Sequence, residues 1–460
     1  MANSQPTTCF DAYTDTRRMH RIFANRLRGL ITRNHTIEGC TIDSVQYKRF
    51  LKPSSRHKSY LAICYRLSVV NQYGTAIRNF FIYGKAYRNG RSQFEFNRLM
   101  ATAQHTDDAP PIWMPDLDFL VWFFPFDPFL RQLPLLADSK HVVRFLPLDC
   151  LSISRSDVVR IRTEVINYRP ECRCTIRYDL TYRKGNESAL ITLFAKTVRE
   201  GGQTIYRRME DLWRYAQSNS DMICIARPLA YDKRNNTVWQ KGFPGEPLST
   251  LWQNHGTPTL IPRLAKCLAG LHQSGIRSAK TVNASDLLIE LEKKTEKLNQ
   301  VFPAGEKYLG TILRRVANHV GLKPQVFALI HGDFHIDQLK TDGRCVVLFD
   351  FDELAQGDPM QDIANFLVDL RFRHYPKRFI QKVRDGLLEE YQKSVPWPVS
   401  RFWIEWHAGV QMVNKVYRSY IQRKTSFTQD FGYLIEFIQS GFFDTTAIAH
   451  VGAQQQSEEM

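Results

Sequence analysis

The stretch LIHGDFHIDQLKTDGRCVVLFDFDELAQGDP, residues 329–359, constrains this chain more than any other part. It sets carboxylates between short apolar runs, in a chain whose formal net charge is +16. Within it, TDGR predicts a hairpin, because Asp342-Gly343 supplies the positive φ that a type I′ turn needs. A turn centred there pairs Gln338 with Val347 and sets Asp350 opposite His335. Asp333, Gln338 and Asp350 then gather near the open end of one hairpin. Gly332 lets the backbone turn sharply just before Asp333.

Carboxylates crowded beside a side-chain amide are costly unless something positive sits among them. An all-oxygen donor set suits a hard divalent cation, and Mg²⁺ is the natural candidate. Few thiolates or imidazoles lie nearby, which argues against zinc. Mg²⁺ usually binds one or two carboxylates plus substrate phosphates, so a further carboxylate is free to take a proton from an attacking hydroxyl. That combination is what phosphoryl transfer requires.

A chain of 460 residues suggests two or three domains. The first part is rich in strand patterns. In ALITLFAKTV, Leu190, Thr192, Phe194 and Lys196 share one face, and Ile191, Leu193 and Ala195 the other. Residues 45–100 and 161–213 carry similar features in the same order: a Tyr-x-Leu strand (Tyr65 and Leu67; Tyr178 and Leu180), a strand ending in lysine (Lys85; Lys196), then an amphipathic segment. VWFFPFDPFL from Val121 parallels VWQKGFPGEPL from Val238. This reads as a duplicated sheet-plus-helix unit. From about residue 250 the pattern turns helical, as in IPRLAKCLAGLHQSGI, where Ile261, Leu264, Cys267, Leu268 and Leu271 form one stripe. Nine scattered cysteines without a CxxC pair read as reduced thiols of a cytoplasmic protein. No apolar run reaches transmembrane length, and the N-terminus lacks the pattern of a secretory signal. The bases are spread without a dense block, so the pI near 9.4 reads as a solubilising surface and not as a nucleic-acid footprint.

HGDFHIDQ followed by FDFDELAQGDPMQDIANF resembles the aminoglycoside phosphotransferase and choline kinase-like family, a branch of the protein-kinase-like fold. The resemblance implies an α+β, two-lobe architecture with a β-rich N-lobe and a helical C-lobe. It implies Asp333 as catalytic base and Asp350 as the main Mg²⁺ ligand. Gln338 stands where the family usually has Asn as second metal ligand, a departure also found in the similar maltokinase-like branch; Asp352 is a further or outer ligand. Asp362 orients the catalytic loop. Lys196 resembles the strand lysine that contacts ATP phosphates, with Glu210 as ion-pair partner and Asp211 as competitor. Gln240 to Phe243, with Lys241 between them, resemble the hinge whose backbone reads adenine. YRPECRC, residues 168–174, stands in place of a glycine-rich phosphate loop. The expected domains are then an N-terminal α+β unit, 1–150, like a degenerate N-lobe or cap; an N-lobe, 151–243; a helical C-lobe, 244–449; and a disordered tail, 450–460.

The function so implied is an ATP- and Mg²⁺-dependent kinase acting on a hydroxyl of a sugar, glycoside or aminoglycoside-like small molecule. The basic balance disfavours a cationic aminoglycoside. Trp403, Trp406 and His407 read either as a sugar-stacking surface or as core aromatics. The competing reading is a nucleotide-binding pseudokinase or regulatory module, motivated by the duplicated unit, Gln338 and the missing glycine loop. The first unit reads as a cap or a homodimer surface.

Overall fold

The computed structural model describes residues 10–27, 35–48, 59–71, 76–102, 111–252, 260–321, 324 and 326–443. The tail expected over 450–460 lies outside them. Among the described residues no helix is long and apolar enough to cross a membrane. These residues form two compact units. One lies within Met1–Gln203, Leu229–Lys241 and Ile421–Lys424; the other within Thr204–Pro228, Gly242–Tyr420 and Thr425–Met460.

The class is α+β. Helices α1 (Asp11–Thr14) and α2 (Thr16–Arg26) precede strands β1 (His35–Lys48), β2 (Tyr60–Asn71) and β3 (Ala76–Ala86), then α3 (Arg91–Thr102), β4 (Ile112–Met114) and β5 (Phe119–Phe123). After α4 (Leu133–Ala137) come β6 (Val158–Arg169), β7 (Arg173–Lys184), β8 (Glu187–Val198), α5 (Gly202–Ser218), a two-residue strand β9 (Cys224–Ile225), β10 (Pro228–Asp232) and β11 (Thr237–Lys241). Alternation drives these strands. In β7, Cys174, Ile176, Tyr178 and Leu180 are buried and their neighbours are not.

Two five-stranded sheets share one topology: β1-β2-β3-β5-β4 and β6-β7-β8-β11-β10. Tyr65 faces Ile82 and Tyr178 faces Leu193, each three positions before its strand lysine, Lys85 or Lys196. A bulge falls at the same place in both first strands, opposite Val69 in one sheet and Tyr182 in the other. We read this as the duplicated unit. The register corrects the expected alignment by one residue: Lys85 faces Leu120 and Lys196 faces Val238, so Val121 corresponds to Trp239. The sheets also share a core, in which Cys64 and Phe81 pack with Tyr168, Ile176, Tyr178 and Leu193.

The two lysines differ in surroundings. Lys85 Nζ lies 2.5 Å from the Glu171 carboxylate and 5.3 to 5.9 Å from the ring centroids of Tyr60, Tyr83 and Trp122. Glu171, at φ +63°, forms the β6–β7 turn that replaces a glycine-rich loop. Buried Asp127 holds the same turn. It accepts from Tyr168 Oη at 2.8 Å, Glu171 N at 2.9 Å, Phe129 N at 2.8 Å and Leu130 N at 2.9 Å. Asp127→Ala leaves these donors unmatched and is expected to lower stability by roughly 2–4 kcal/mol in a denaturant titration.

The second unit continues with β12 (Glu246–Pro247), α6 (Leu248–Trp252), α7 (Ile261–His272), α8 (Ala284–Asn299), α9 (Glu306–Ala317), β13 (Ala328–Ile330), β14 (Leu339–Thr341), β15 (Val346–Leu348) and β16 (Ala355–Gly357). It closes with α10 (Met360–Phe372), α11 (Lys377–Ser394), α12 (Arg401–Ile421) and α13 (Phe427–Ser440). The predicted stripe of α7 is buried. Asn283 caps α8 by accepting from Asp286 N at 2.9 Å. Helix α10 is buried all round from Met360 to Leu370, which makes it the core of this unit.

The TDGR hairpin forms, with a corrected register. Lys340, not Gln338, faces Val347. The loop has four residues, because Asp342 Oδ1 accepts from Arg344 N and Cys345 N at 2.9 and 3.1 Å and so builds its own turn. Only Gly343 takes positive φ there, not both turn residues. A shift of two keeps every side chain on its expected face.

Glu405 on α12 fastens the end of the described chain, accepting from Phe442 N and Phe443 N at 2.5 and 2.7 Å. Burial pushes its carboxyl up to about 7 against those bonds and against Arg315 and Arg384. Between pH 4.5 and about 7 the folded state therefore holds a proton that the unfolded chain has released. Stability falls as pH rises through that window. Unfolding midpoints measured across it should decline in the native sequence and stay nearly level in Glu405→Gln.

Candidate active site

The site starts from a two-stranded ribbon. β13 pairs with β16, Ala328 with Gly357 and Ile330 with Ala355. His331, Gly332 and Asp333 leave the end of β13 in a turn with Gly332 at φ +80°. A Cβ on Gly332 would stand 2.6 Å from the Glu353 carbonyl, so both conformation and space require glycine here. His331 is fully buried and donates from Nε2 to the Phe349 carbonyl at 2.8 Å. That bond joins the turn to the end of β15.

Asp362 on α10 holds the turn from behind. Its Oδ2 accepts from His331 N at 2.6 Å and from His272 Nε2 at 3.1 Å, and its Oδ1 accepts from Gly332 N at 2.9 Å. Three residues on, Asn365 Nδ2 donates to the Gly332 carbonyl at 3.1 Å. His272 is fixed in turn by the Tyr391 hydroxyl, 2.6 Å from Nδ1. His272 and Asn365 were not singled out from sequence. His272 sits in the buried stripe of α7, where it reads as one more core position.

The turn presents Asp333 towards His335, whose Nε2 is 3.7 Å from Asp333 Oδ2. The Gln338 amide lies 3.1 Å from His335 Nε2 and 3.4 Å from Asp350 Oδ2. The structure thus brings Asp333, Gln338 and Asp350 into one chain of contacts, with His335 as the middle member. Burial works to raise the Asp333 carboxyl. The hydrogen bond and charge of His335, with Arg418 and His331, outweigh it and hold the carboxyl below the usual carboxylate range. Asp350 adopts φ +62°, a left-handed conformation that a short polar side chain tolerates, and this turns it back towards Gln338.

Asp352 follows two residues after Asp350. Arg208 on α5 donates to its carbonyl at 3.3 Å and to Ser278 Oγ at 3.2 Å. Burial lowers the Arg208 guanidinium against the raising charges of Glu353 and Asp352. Arg208 is a further residue that sequence reasoning passed over, two positions before Glu210. Glu210 accepts from Tyr206 Oη at 3.1 Å, and Asp211 pairs with Arg214 at 3.1 Å. Lys196 stands in β8 on the face opposite the buried Ala195 and Thr197. Gln240 and Lys241 pair with Phe194 and Leu193 in the ladder. Phe243 follows in the second unit, against the close approach of Gly245 to Thr341.

Asp358 Oδ1 accepts from Met360 N at 2.9 Å, and α10 begins at Met360. Its other oxygen meets His407 Nε2 at 3.0 Å. Trp403, Trp406 and His407 are buried. With Phe327 and Asp358 they line a cavity of about 570 Å³. Phe327 and Asp358 mark the end of the β13–β16 ribbon away from Asp333. Along α12, His407 is roughly 16 Å from Arg418, whose charge helps to hold the Asp333 carboxyl low. The core reading of these aromatics therefore fits better than sugar stacking at Asp333.

An oxygen donor set of one carboxylate and one amide, with Asp333 close by, fits a hard divalent cation. Among the described residues no group of three or more His, Cys, Asp or Glu side chains could hold a metal by itself. Asp362→Ala removes the acceptor of three buried donors. It is expected to lower stability by roughly 3 kcal/mol or more and to abolish turnover, and Asp362→Asn should retain part of both; denaturant titration beside an activity assay measures each.

No curated protein matches the chain. Among solved structures it is similar to choline kinase LicA from Streptococcus pneumoniae, at 11% identity over 65% of this chain and 99% of that one, with a TM-score of 0.44. A choline/ethanolamine kinase family protein from Mesorhizobium loti gives 14% identity, 57% and 85% coverage and a TM-score of 0.42. A thermostable mutant of aminoglycoside phosphotransferase APH(4)-Ia gives 13%, 61% and 96%, and 0.45. Likenesses this distant carry no weight alone. The family model described as "Phosphotransferase enzyme family" matches residues 181–403. That span holds the HGD turn, the hairpin, the acidic turn after it and the start of α10, so it is this segment of the chain that matches the phosphotransferase enzyme family.

Proposed function

We propose that the chain is an ATP- and Mg²⁺-dependent kinase that moves the γ-phosphoryl group of ATP to a hydroxyl of a small molecule. The observation that supports this best is the contact chain Asp333–His335–Gln338–Asp350 inside a phosphotransferase segment. Asp350 and Gln338 would hold the cation, with Asp352 as an outer ligand; once bound, it neutralises the phosphate oxygens. Asp333 is ionised at neutral pH and accepts the hydrogen bond of the acceptor hydroxyl. The alcohol oxygen bonds to Pγ, the bond from Pγ to the bridging oxygen of ADP breaks, and the hydroxyl proton passes to the Asp333 carboxylate. Lys196 contacts the nucleotide phosphates with Glu210 as its partner, and Gln240, Lys241 and Phe243 form the adenine-reading segment. The acceptor is a sugar, glycoside or aminoglycoside-like small molecule. The free thiols of the eight described cysteines fit a cytoplasmic setting. The first sheet serves as a cap; Phe94 and Met100, exposed on α3, mark it as a surface for a second copy, and light scattering showing only a monomer would count against that.

Asp333→Ala should reduce turnover by about two to four decades while Mg–ATP binding, followed by thermal shift, stays near the native value. Unchanged turnover removes Asp333 as the base. Nucleotide binding by the native chain without turnover on any hydroxyl acceptor favours the alternative, a nucleotide-binding pseudokinase.

A further inference from the structure

The α8–α12 contact carries three cations beside the proposed base. On α8, Lys294 Nζ donates to Asn414 Oδ1 of α12 at 2.8 Å. One turn on, Lys297 Nζ lies 5.8 Å from the centroid of the Tyr417 ring. Arg418 follows Tyr417 on the same turn of α12. Lys294 and Lys297 are half-buried, and Arg418 is exposed. Among the described residues, none of the three has a carboxylate within ion-pair distance.

The nearby acids do not cancel this charge. Glu290, one turn before Lys294, pairs with Lys293 at 2.9 Å. Asp369 is already held by Lys415 at 2.5 Å and by Arg373 at 2.7 Å, and Asp337 by Arg373. Burial lowers the Lys294 ammonium; Glu290 raises it in part, and Arg418 and Lys297 lower it further. A freely solvated basic face would not do this. Arg418 stands three positions after Lys415 on α12, from which the ion pairs Lys415–Asp369, Asp369–Arg373 and Arg373–Asp337 lead to the residue beside Gln338, and its charge helps to hold the Asp333 carboxyl low. A molecule with its hydroxyl at Asp333 would thus extend towards cations that lack a counter-charge, and a cationic acceptor would be repelled there.

We propose that the acceptor is an anionic hydroxyl compound, whose phosphate or carboxylate group is held by Lys294, Lys297 and Arg418 while its hydroxyl meets Asp333. The proposal rests on the kinase reading above and adds the class of acceptor to it.

The test uses the full chain with Mg–ATP and four probes: glucose 6-phosphate, D-gluconate, glucose and kanamycin. Turnover of a phosphorylated or carboxylated probe in preference to the others is expected, and the two anionic arms separate the two headgroups. Lys297→Gln and Arg418→Gln should each raise the KM for that probe by about tenfold, the size of one lost charge-assisted contact. The KM for ATP should hold, and Arg418→Lys should recover part of the loss. Turnover of glucose or kanamycin with none of the anionic probes overturns the proposal. If no probe is turned over, calorimetric binding of glucose 6-phosphate and gluconate decides. Binding that is lost in the double variant upholds the anion site although phosphoryl transfer itself fails. Absence of binding, with Mg–ATP still bound, overturns the site and leaves the kinase reading standing.

Discussion

The Asp362 carboxylate is the interaction on which the catalytic region depends. A fully buried charge is tolerated only when its oxygens are hydrogen-bonded, and here three donors meet it: His331 N, Gly332 N and His272 Nε2. Those donors come from the turn after β13 and from the end of α7. One side chain therefore ties the central helix α10 to two other elements. Because an unmatched buried carboxylate is so unfavourable, the turn has one arrangement and not a range of them. That arrangement sends Asp333 outward while the peptide groups before it stay fixed. Around it, His331 joins the turn to Phe349, and Gln338 joins the hairpin to Asp350.

The two β-sheets of the other unit show how one architecture carries different chemistry. Their strand order, the place of their tyrosines and one bulge coincide. Their lysines do not share surroundings. Lys85 is enclosed by three aromatic rings and the Glu171 carboxylate, and with Asp127 it fixes the β6–β7 turn. A glycine-rich loop achieves close backbone approach through freedom at φ; this turn instead has a bound geometry, with Glu171 in the left-handed region. The family match begins at residue 181, inside β7, so the first sheet lies outside it. The first copy thus has a structural use for its strand lysine.

Charge is distributed by task. The acidic residues collect in the hairpin region, where an amide and two carboxylates face one another. Arg373 pairs with Asp337 there and, with Lys415, with Asp369, while further basic residues sit across the α8–α12 contact. A net charge of +16 describes neither arrangement. The sign and partners of individual groups within a few ångströms decide what can bind, because screening removes the influence of remote surface charge.

Much of the site was legible because its members are neighbours in sequence. Asp333, His335, Gln338 and Asp350 lie on one turn and one hairpin, where local rules about glycine and Asx turns apply. Even there the register was two residues off, since Asp342 bonding to Arg344 N and Cys345 N makes a longer loop than a two-residue turn. Parity preserved the faces, because a shift of two leaves each side chain on the same side of the ribbon. The stripe of α7 and the alternation of β7 and β8 were also readable, because burial follows period.

The sequence by itself determined the α+β class, the repeated order of strands and helix, and the residue types at the proposed centre. These follow from periodicity and from the oxygen donors that a hard cation and a phosphate demand. Tertiary structure alone decided which distant groups serve them: His272 and Asn365 behind the turn, Arg208 against the backbone of Asp352, Glu171 beside Lys85, and Lys294 and Lys297 next to α12. Such pairings join residues up to more than a hundred positions apart, and no local propensity encodes which of many similar side chains packing will bring within hydrogen-bond distance.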